Sequence, residues 1–413
     1  MTAANHFAST NRVQLTYIKE ADFGVIPVTG NDANLRMTGE TFTWSLTKQA
    51  DKEIRSDRQL SSTTTVSANA AGDLKVHMQY AEYDPLFEAL MQDSFVVFGT
   101  NGVGATFTAD FTATTITASV ATSGSSIFTA LKKGQWFRLL APTHANNGRL
   151  LRVSSVTAPT STVITLDAGT PAAVGSAVAS CAIQSSRLSN GVTMPTFTFE
   201  RSANDVTEFF TYTGMAVSKF STSFASGSLV EATFSFMGKS SGSEVTSSMP
   251  GVATASRPYE ITNAVSGVAQ VWEGGAPLTG TAIKSLSLDI DNTLRGQEAI
   301  GTLGYAGIGV GTFMVKGSME VYFANATIYK KFLADAYTSV VLSIQDPSGN
   351  GYVFSMPRVN LVTGKINAEA KDGDLMLSFD YECYGDMANT DPTLRQTLFI
   401  DRVGVAVSPL TFA

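Results

Sequence analysis

Cysteine, histidine and charge are all scarce in this chain. Two cysteines in 413 residues, Cys181 and Cys383, exclude a disulfide framework, and neither has a Cys or His at metal-ligand spacing. The three histidines, His6, His77 and His144, stand apart and no Gly-x-Ser-x-Gly elbow occurs, so a nucleophilic triad has no basis. Charged residues make up 15%, against about 25% in an average globular chain, and 28 Lys+Arg oppose 35 Asp+Glu for a net charge of −7. That excludes a basic surface built to hold nucleic acid as the main business, although an acidic chain can still conduct nucleic acid without holding it. Apolar runs such as 95–98 and 340–342 are far too short to span a bilayer, and MTAANHFASTNRVQ lacks the apolar core of a secretion signal. A soluble protein made in a reducing cytoplasm is the expectation.

Hydrophobic residues, at 44%, are ample for packed cores. A thin charge layer over so much Ser, Thr, Gly and Ala points to strand-rich surface that is neutral or covered by copies of itself. Residues 99–190 begin with a Gly/Thr/Ala/Ser-rich run and continue with LKKGQWFRLL, GRLLRVSSV and STVITLD, alternating stretches bounded by turn residues. They are expected to form an inserted small all-β module. At 239–258 Ser, Gly and Pro replace periodic apolar residues, and 239–280 is read as a linker.

With those segments set aside, the remainder repeats. GDLKVHMQYAEYDPLFEALMQD (72–93) lines up with GSMEVYFANATIYKKFLADA (317–336), a strand running into a short helix in each. Leu86, Phe87, Leu90 and Met91 have the same spacing as Ile328, Tyr329, Phe332 and Leu333, which paints one helix face for burial. Asp84 before Pro85 is a helix start signal, its carboxylate free to accept an orphan N–H, and Asn325 is its counterpart. Upstream, FTWSLTK (42–48) matches SLSLDID (285–291). Downstream, TFTFER, EFFTYTGMAV, KFSTSFAS and LVEATFSFMG match VVLSIQD, GYVFSMPRV, GKINAEA and LMLSFDYECYG. The fold expected is mainly β, one scaffold used twice with one short helix in each copy. The first copy spans 1–98 with 191–238, and the second 281–413.

Three stretches of the first copy, Tyr17-x-x-Glu20-x-x-Phe23-Gly24-Val25-Ile26-Pro27, Leu35-Arg36-x-Thr38-Gly39-Glu40 and Lys52-Glu53-Ile54-Arg55-Ser56-Asp57-Arg58-Gln59, together resemble the major tail tube proteins of long flexible-tailed, siphovirus-type bacteriophages. The inserted module, with Gly134-Gln135-Trp136 and Asn146-Asn147-Gly148, is similar to an insertion met in that family. The resemblance covers nearly the whole chain. It implies a tail-tube β-sandwich or barrel whose subunits close into rings, commonly sixfold, that stack into a tube for DNA ejection. Two copies per chain then imply trimeric, pseudo-sixfold rings. The resemblance also implies a virion location, no enzyme activity and no cofactor. As partners it implies further copies of the chain, a tape-measure protein, a tail terminator and tail-tip proteins. The module is expected on the tail exterior, because an insertion of that size would clog the channel.

Two groups of residues are singled out. Asp51, Lys52, Glu53, Arg55, Asp57 and Arg58 crowd a loop in a charge-poor chain, suited to carboxylate–guanidinium pairs with the next ring or a neighbouring subunit. A plain solvated loop is the competing reading. Asp289, Asp291, Glu369, Asp380 and Glu382 alternate along strands and supply an acidic lumen, or else ordinary solvent-facing carboxylates. The glycines at 304, 307, 309 and 311 lack the lysine and helix of a phosphate loop, and Asp346 to Gly351 is a hairpin turn before it is a calcium loop. Trp44, Trp136 and Trp272 are expected in cores or interfaces. The rival functions are an extracellular carbohydrate-binding or glycan-cleaving β-sandwich, and another virion component at the head surface or tail tip.

Overall fold

The computed structural model describes residues 7–100, 102–119, 128–262, 270–278, 282–368, 371, 373–405 and 407. The chain opens with β1 (Val13–Lys19), β2 (Ala33–Leu35), β3 (Gly39–Glu40), β4 (Thr43–Ala50), β5 (Thr63–His77), α1 (Asp84–Met91) and β6 (Val96–Val97). Six strands follow as a separate sheet: β7 (Phe107–Phe111), β8 (Thr115–Ala118), β9 (Trp136–Leu140), β10 (Arg149–Arg152), β11 (Val163–Thr165) and β12 (Gly175–Gln184). The chain then returns through β13 (Ser186–Ser189), β14 (Phe197–Ala203), β15 (Glu208–Ala225), β16 (Glu231–Gly238) and β17 (Ser240–Glu244). The remainder is β18 (Gln270–Glu273), β19 (Ala276–Pro277), β20 (Ile283–Asp291), β21 (Arg295–Gln297), β22 (Gly307–Gly309), β23 (Met314–Tyr322), α2 (Thr327–Leu333), β24 (Thr338–Gln345), β25 (Gly351–Asn367), β26 (Met376–Cys383) and β27 (Phe399–Val403). The protein is mainly β.

One antiparallel pairing scheme occurs twice. β1 pairs with β2 and β14, β15 with β14, β16 and β17, and β5 with β16 and β4. In the same places β18 pairs with β19 and β24, β25 with β24, β26 and β27, and β23 with β26 and β20. Even the irregularities agree. The β15–β16 register shifts between Val217 and Lys219, where Val217 faces Phe236, and the β25–β26 register shifts between Leu361 and Thr363, where Leu361 faces Tyr381. Phe236 and Tyr381 in turn face Gly72 and Gly317. Each glycine sits where the neighbouring strand passes close. A Cβ on Gly72 would lie 2.6 Å from the Phe42 backbone, and one on Gly317 would lie 2.1 Å from the Ser287 carbonyl.

Several expectations need correction. The 239–280 segment is paired chain at both ends: β17 closes the first scaffold, and β18 and β19 open the second. β17 is an edge strand with little to bury, so it carries no apolar period. Thr43 faces Ala71, next to Gly72, and Asp289 faces Lys316, next to Gly317. Phe42 therefore corresponds to Leu288 and not to Ser285, an odd slip that exchanges the two faces of the strand. Asp84 caps nothing. It lies inside the first turn and its carboxylate takes the Tyr352 hydroxyl at 2.5 Å and the Arg402 guanidinium, both from the second scaffold. Asn325 does accept the Thr327 N–H, at 2.9 Å.

A single apolar core runs through both scaffolds, from Leu15 and Tyr17 to Leu398 and Ile400. The six-stranded sheet has its own core around Phe107, Phe128, Phe137 and Ile183. A third cluster joins the two. Trp136 packs on Trp272 with ring centroids 4.6 Å apart, and the Trp136 backbone N–H donates to Asp401, which also holds Arg187 at 2.7 Å. The segment inserted in the first scaffold thus docks on the second.

Candidate assembly surfaces

The two scaffolds meet edge to edge, because β15 pairs with β20 over residues 219–225 and 285–291. The result is a continuous run of eight strands, β4–β5–β16–β15–β20–β23–β26–β25. Alternation gives that run two unlike faces. Leu74, Phe220, Phe234, Leu288, Met319 and Phe379 point into the core. Residues between them, such as Lys75, Ser223, Glu231, Ser318 and Asp380, form a polar face turned away from it.

Four of the five singled-out carboxylates share this polar face, and Glu369 lies outside the described residues. The face is interleaved with lysines. Asp291 pairs with Lys219 at 2.8 Å, and both Asp289 and Glu382 lie across from Lys316. Partial burial pushes the Asp289 pKa up, and the nearby Lys316 and Lys219 oppose that rise. Asp380 accepts the Thr363 hydroxyl at 2.8 Å, and Glu382 the Tyr384 hydroxyl at the same distance. Asp73, Glu231 and Glu320 belong to the same face, placed there by cross-strand partners that sequence reasoning did not use.

The charged loop 51–62 tips the β4–β5 hairpin, and its residues are exposed throughout. It is ordered by its own groups. Arg55 forks onto Asp57 at 3.0 and 2.6 Å with Glu53 at 3.8 Å, and Asp51 takes the Ser61 hydroxyl at 2.5 Å and the Glu53 amide at 3.0 Å. These hydrogen bonds hold the Asp51 and Asp57 carboxyls below the ordinary range and raise Arg55. Lys52 and Arg58 form no ion pair with any described residue. The corresponding loop of the second scaffold, 292–313, folds back on the body: Glu298 accepts the Ser67 hydroxyl at 3.0 Å, and Gly304 lies against the Lys239 carbonyl.

The other two distinctive stretches are buttresses. Glu20 is buried and accepts from Thr196, Thr198 and the Gly24 and Gly214 amides, tying β1 to β14 and β15. Arg36 donates to the Arg257 and Tyr259 carbonyls, while Glu40 pairs with Arg201 at 2.7 Å. Asp346 closes the turn between β24 and β25 by accepting from Asn350, and no cluster of metal-ligating side chains occurs among the described residues. No described helix is long and apolar enough to cross a membrane.

The architecture is a β-scaffold used twice, with sheet ends that pair with nothing further among the described residues and with exposed loops. A family model described as phage tail tube protein matches residues 10–383. The chain belongs to that family, which makes it a structural component of a virion that assembles with itself into a tube. No curated protein matches it.

Proposed function

We propose that three chains close into a pseudo-sixfold ring, that rings stack into the hollow tube of a long flexible tail, and that the tube conducts DNA at ejection. One observation carries this reading: each chain offers eight strands side by side, with a polar face and, among the described residues, an unpaired edge at β4 and at residues 361–367 of β25. Size decides the count. At about 4.8 Å per strand and a tilt of about 40°, twenty-four strands close at about 50 Å between backbones, sixteen at about 30 Å and forty-eight at about 100 Å. Once side chains are allowed for, three chains pass duplex DNA with clearance, two pinch it and six leave it loose.

The polar face then lines the channel. Its carboxylates repel phosphate, while the lysines paired with them are neutralised where they stand, so cargo slides without the affinity that free cations would add. The 51–62 loop reaches the next ring, with Lys52 and Arg58 available to its carboxylates. The six-stranded module faces outward. Tape-measure, terminator and tail-tip proteins are the partners that such a tube requires. Negative-stain images of the purified chain test the reading. Hollow filaments with threefold rings are expected, six chains per ring overturns the count, and monodisperse particles at all concentrations overturn the tube.

A further inference from the structure

The chain contains a worked example of how two scaffolds join. In the β15–β20 joint Phe220 lies opposite Ile290 and Lys219 opposite Asp291, and both apolar residues are 1% exposed. Asn292, just past β20, donates its side-chain amide to the Leu90 carbonyl in α1 at 2.9 Å and to the Val217 carbonyl. The joint thus covers both a sheet edge and a helix. Among the described residues the second scaffold has the same edge and helix without that cover. Residues 361–367 of β25 pair with no described strand but β26, Ile366 is 39% exposed, and Leu333 in α2 is 65% exposed. At the far end of the sheet β4, the counterpart of β20, pairs with no described strand but β5 and leaves Leu46 47% exposed and Trp44 half-buried.

On the reading that copies close into rings, we infer that β4 of one copy pairs with residues 361–367 of β25 of the next, in the register of the internal joint. The correspondences above fix that register: Thr43 opposite Lys365, Trp44 opposite Gly364, and Ser45 opposite Thr363. The side chains fit. Phe220 against Ile290 becomes Gly364 against Trp44, so bulk lost on one strand returns on the other. A Cβ on Gly364 would lie 2.6 Å from the Phe332 ring, so that α2 residue walls the slot the indole enters. Leu46 takes the place of Asn292 and meets α2 beside Leu333, an apolar contact in place of a hydrogen bond. The Lys219–Asp291 ion pair becomes the neutral pair Thr363 and Ser45. Because the two surfaces differ, the contact is head-to-tail and closes by rotation.

Mixed Ser45→Cys and Thr363→Cys chains, oxidised after assembly, test the register. Both sites are on the polar face, and the native cysteines are buried. The mixture is expected to give cross-linked dimers, and the double variant a ladder ending at the ring number. Thr47→Cys, two residues displaced, is expected to cross-link about tenfold less with Thr363→Cys, since diagonal Cβ atoms are too far apart. Tubes without the Ser45–Thr363 cross-link overturn the joint and leave the conduit reading standing. A ladder without hollow filaments overturns the conduit and leaves the joint. Leu46→Glu, with no new cysteine, is expected to keep the subunit's thermal unfolding and lose assembly, and growth at the parental rate overturns the joint.

Discussion

Helices α1 and α2 occupy the same place in the two scaffolds and live in different surroundings. α1 buries Leu86, Phe87, Leu90 and Met91, whereas α2 buries Ile328 alone. Over α1 the second scaffold supplies Tyr352 and Phe354, whose rings lie 5.2 and 6.1 Å from Phe87, and Asn292 closes its C-terminal end. Nothing equivalent covers α2 among the described residues. One helix is core because the chain supplies its neighbour, and the other is surface because the chain has run out of copies. On the proposed joint, the exposed surface of the second scaffold is what the next copy covers.

Breaking the seal over α1 is expected to have the largest effect. Asp84 and Arg402 are buried and hydrogen-bonded across the two scaffolds, with the Tyr352 hydroxyl on the same carboxylate. Arg402→Met strands the Asp84 charge, and removing one member of a buried pair costs about 3–5 kcal/mol. Urea unfolding of the unassembled chain measures it. Adding Asp84→Asn is expected to return part of the loss, since the stranded charge goes with it. A cost below about 1 kcal/mol would mean that the β15–β20 pairing and the shared apolar core hold the scaffolds together without this ion pair.

The comparison of helices sharpens with a matched pair of truncations. Phe87→Ala opens a cavity in a filled core, for about 3–4 kcal/mol, while Phe332→Ala on a half-covered helix costs about 1 kcal/mol in the isolated subunit. In assembled tubes the Phe332 variant is expected to lose much more, because its ring walls the slot for Trp44. Equal costs in the isolated subunit would show that α2 is already covered within its own chain.

Much of this was legible in sequence, for reasons that are local. Helical spacing identified both apolar faces, and two glycines with strands packed against them marked matching points in the repeat. Alternation put Asp289 with Asp291, and Asp380 with Glu382, on one face each. What escaped depends on distant partners. Whether those two strands show their acids to the same side, and that Lys316 lies between them, follows only from the register. Asp84 looked like a cap because Arg402, 318 residues away, leaves no trace nearby. β17 and β19 are exposed edge strands and β18 has only four residues, so composition says linker and only pairing says strand. The matching of Phe42 with Ser285 failed because it set apolar Phe42 and Trp44 against polar Ser285 and Ser287, and an alternation of period two survives an even slip but not an odd one.

The smallest effect on the subunit, and a decisive one on assembly, is expected in the loop that distinguishes the first hairpin from the second. Arg55 and Arg58 are exposed, so reversing both to Glu leaves the unfolding midpoint of the isolated chain unchanged. The local order responds instead. Asp57 is held low chiefly by Arg55, so its folded-state contribution is complete above the ordinary value of 3.8 and is lost as the pH falls through the depressed one. With Arg55→Glu the Arg55 share of that depression is lost while the Gln59 amide keeps part of it, and carboxyl chemical shifts of Asp57 in the parental and reversed chains report the difference directly. Tube growth separates the two readings of the loop. If 51–62 grips the next ring, reversed charges stop elongation while Leu46 still permits single rings. Elongation at the parental rate would leave the loop a solvated tip and shift ring stacking to the folded-back 292–313 segment, where Ile300 stands fully exposed.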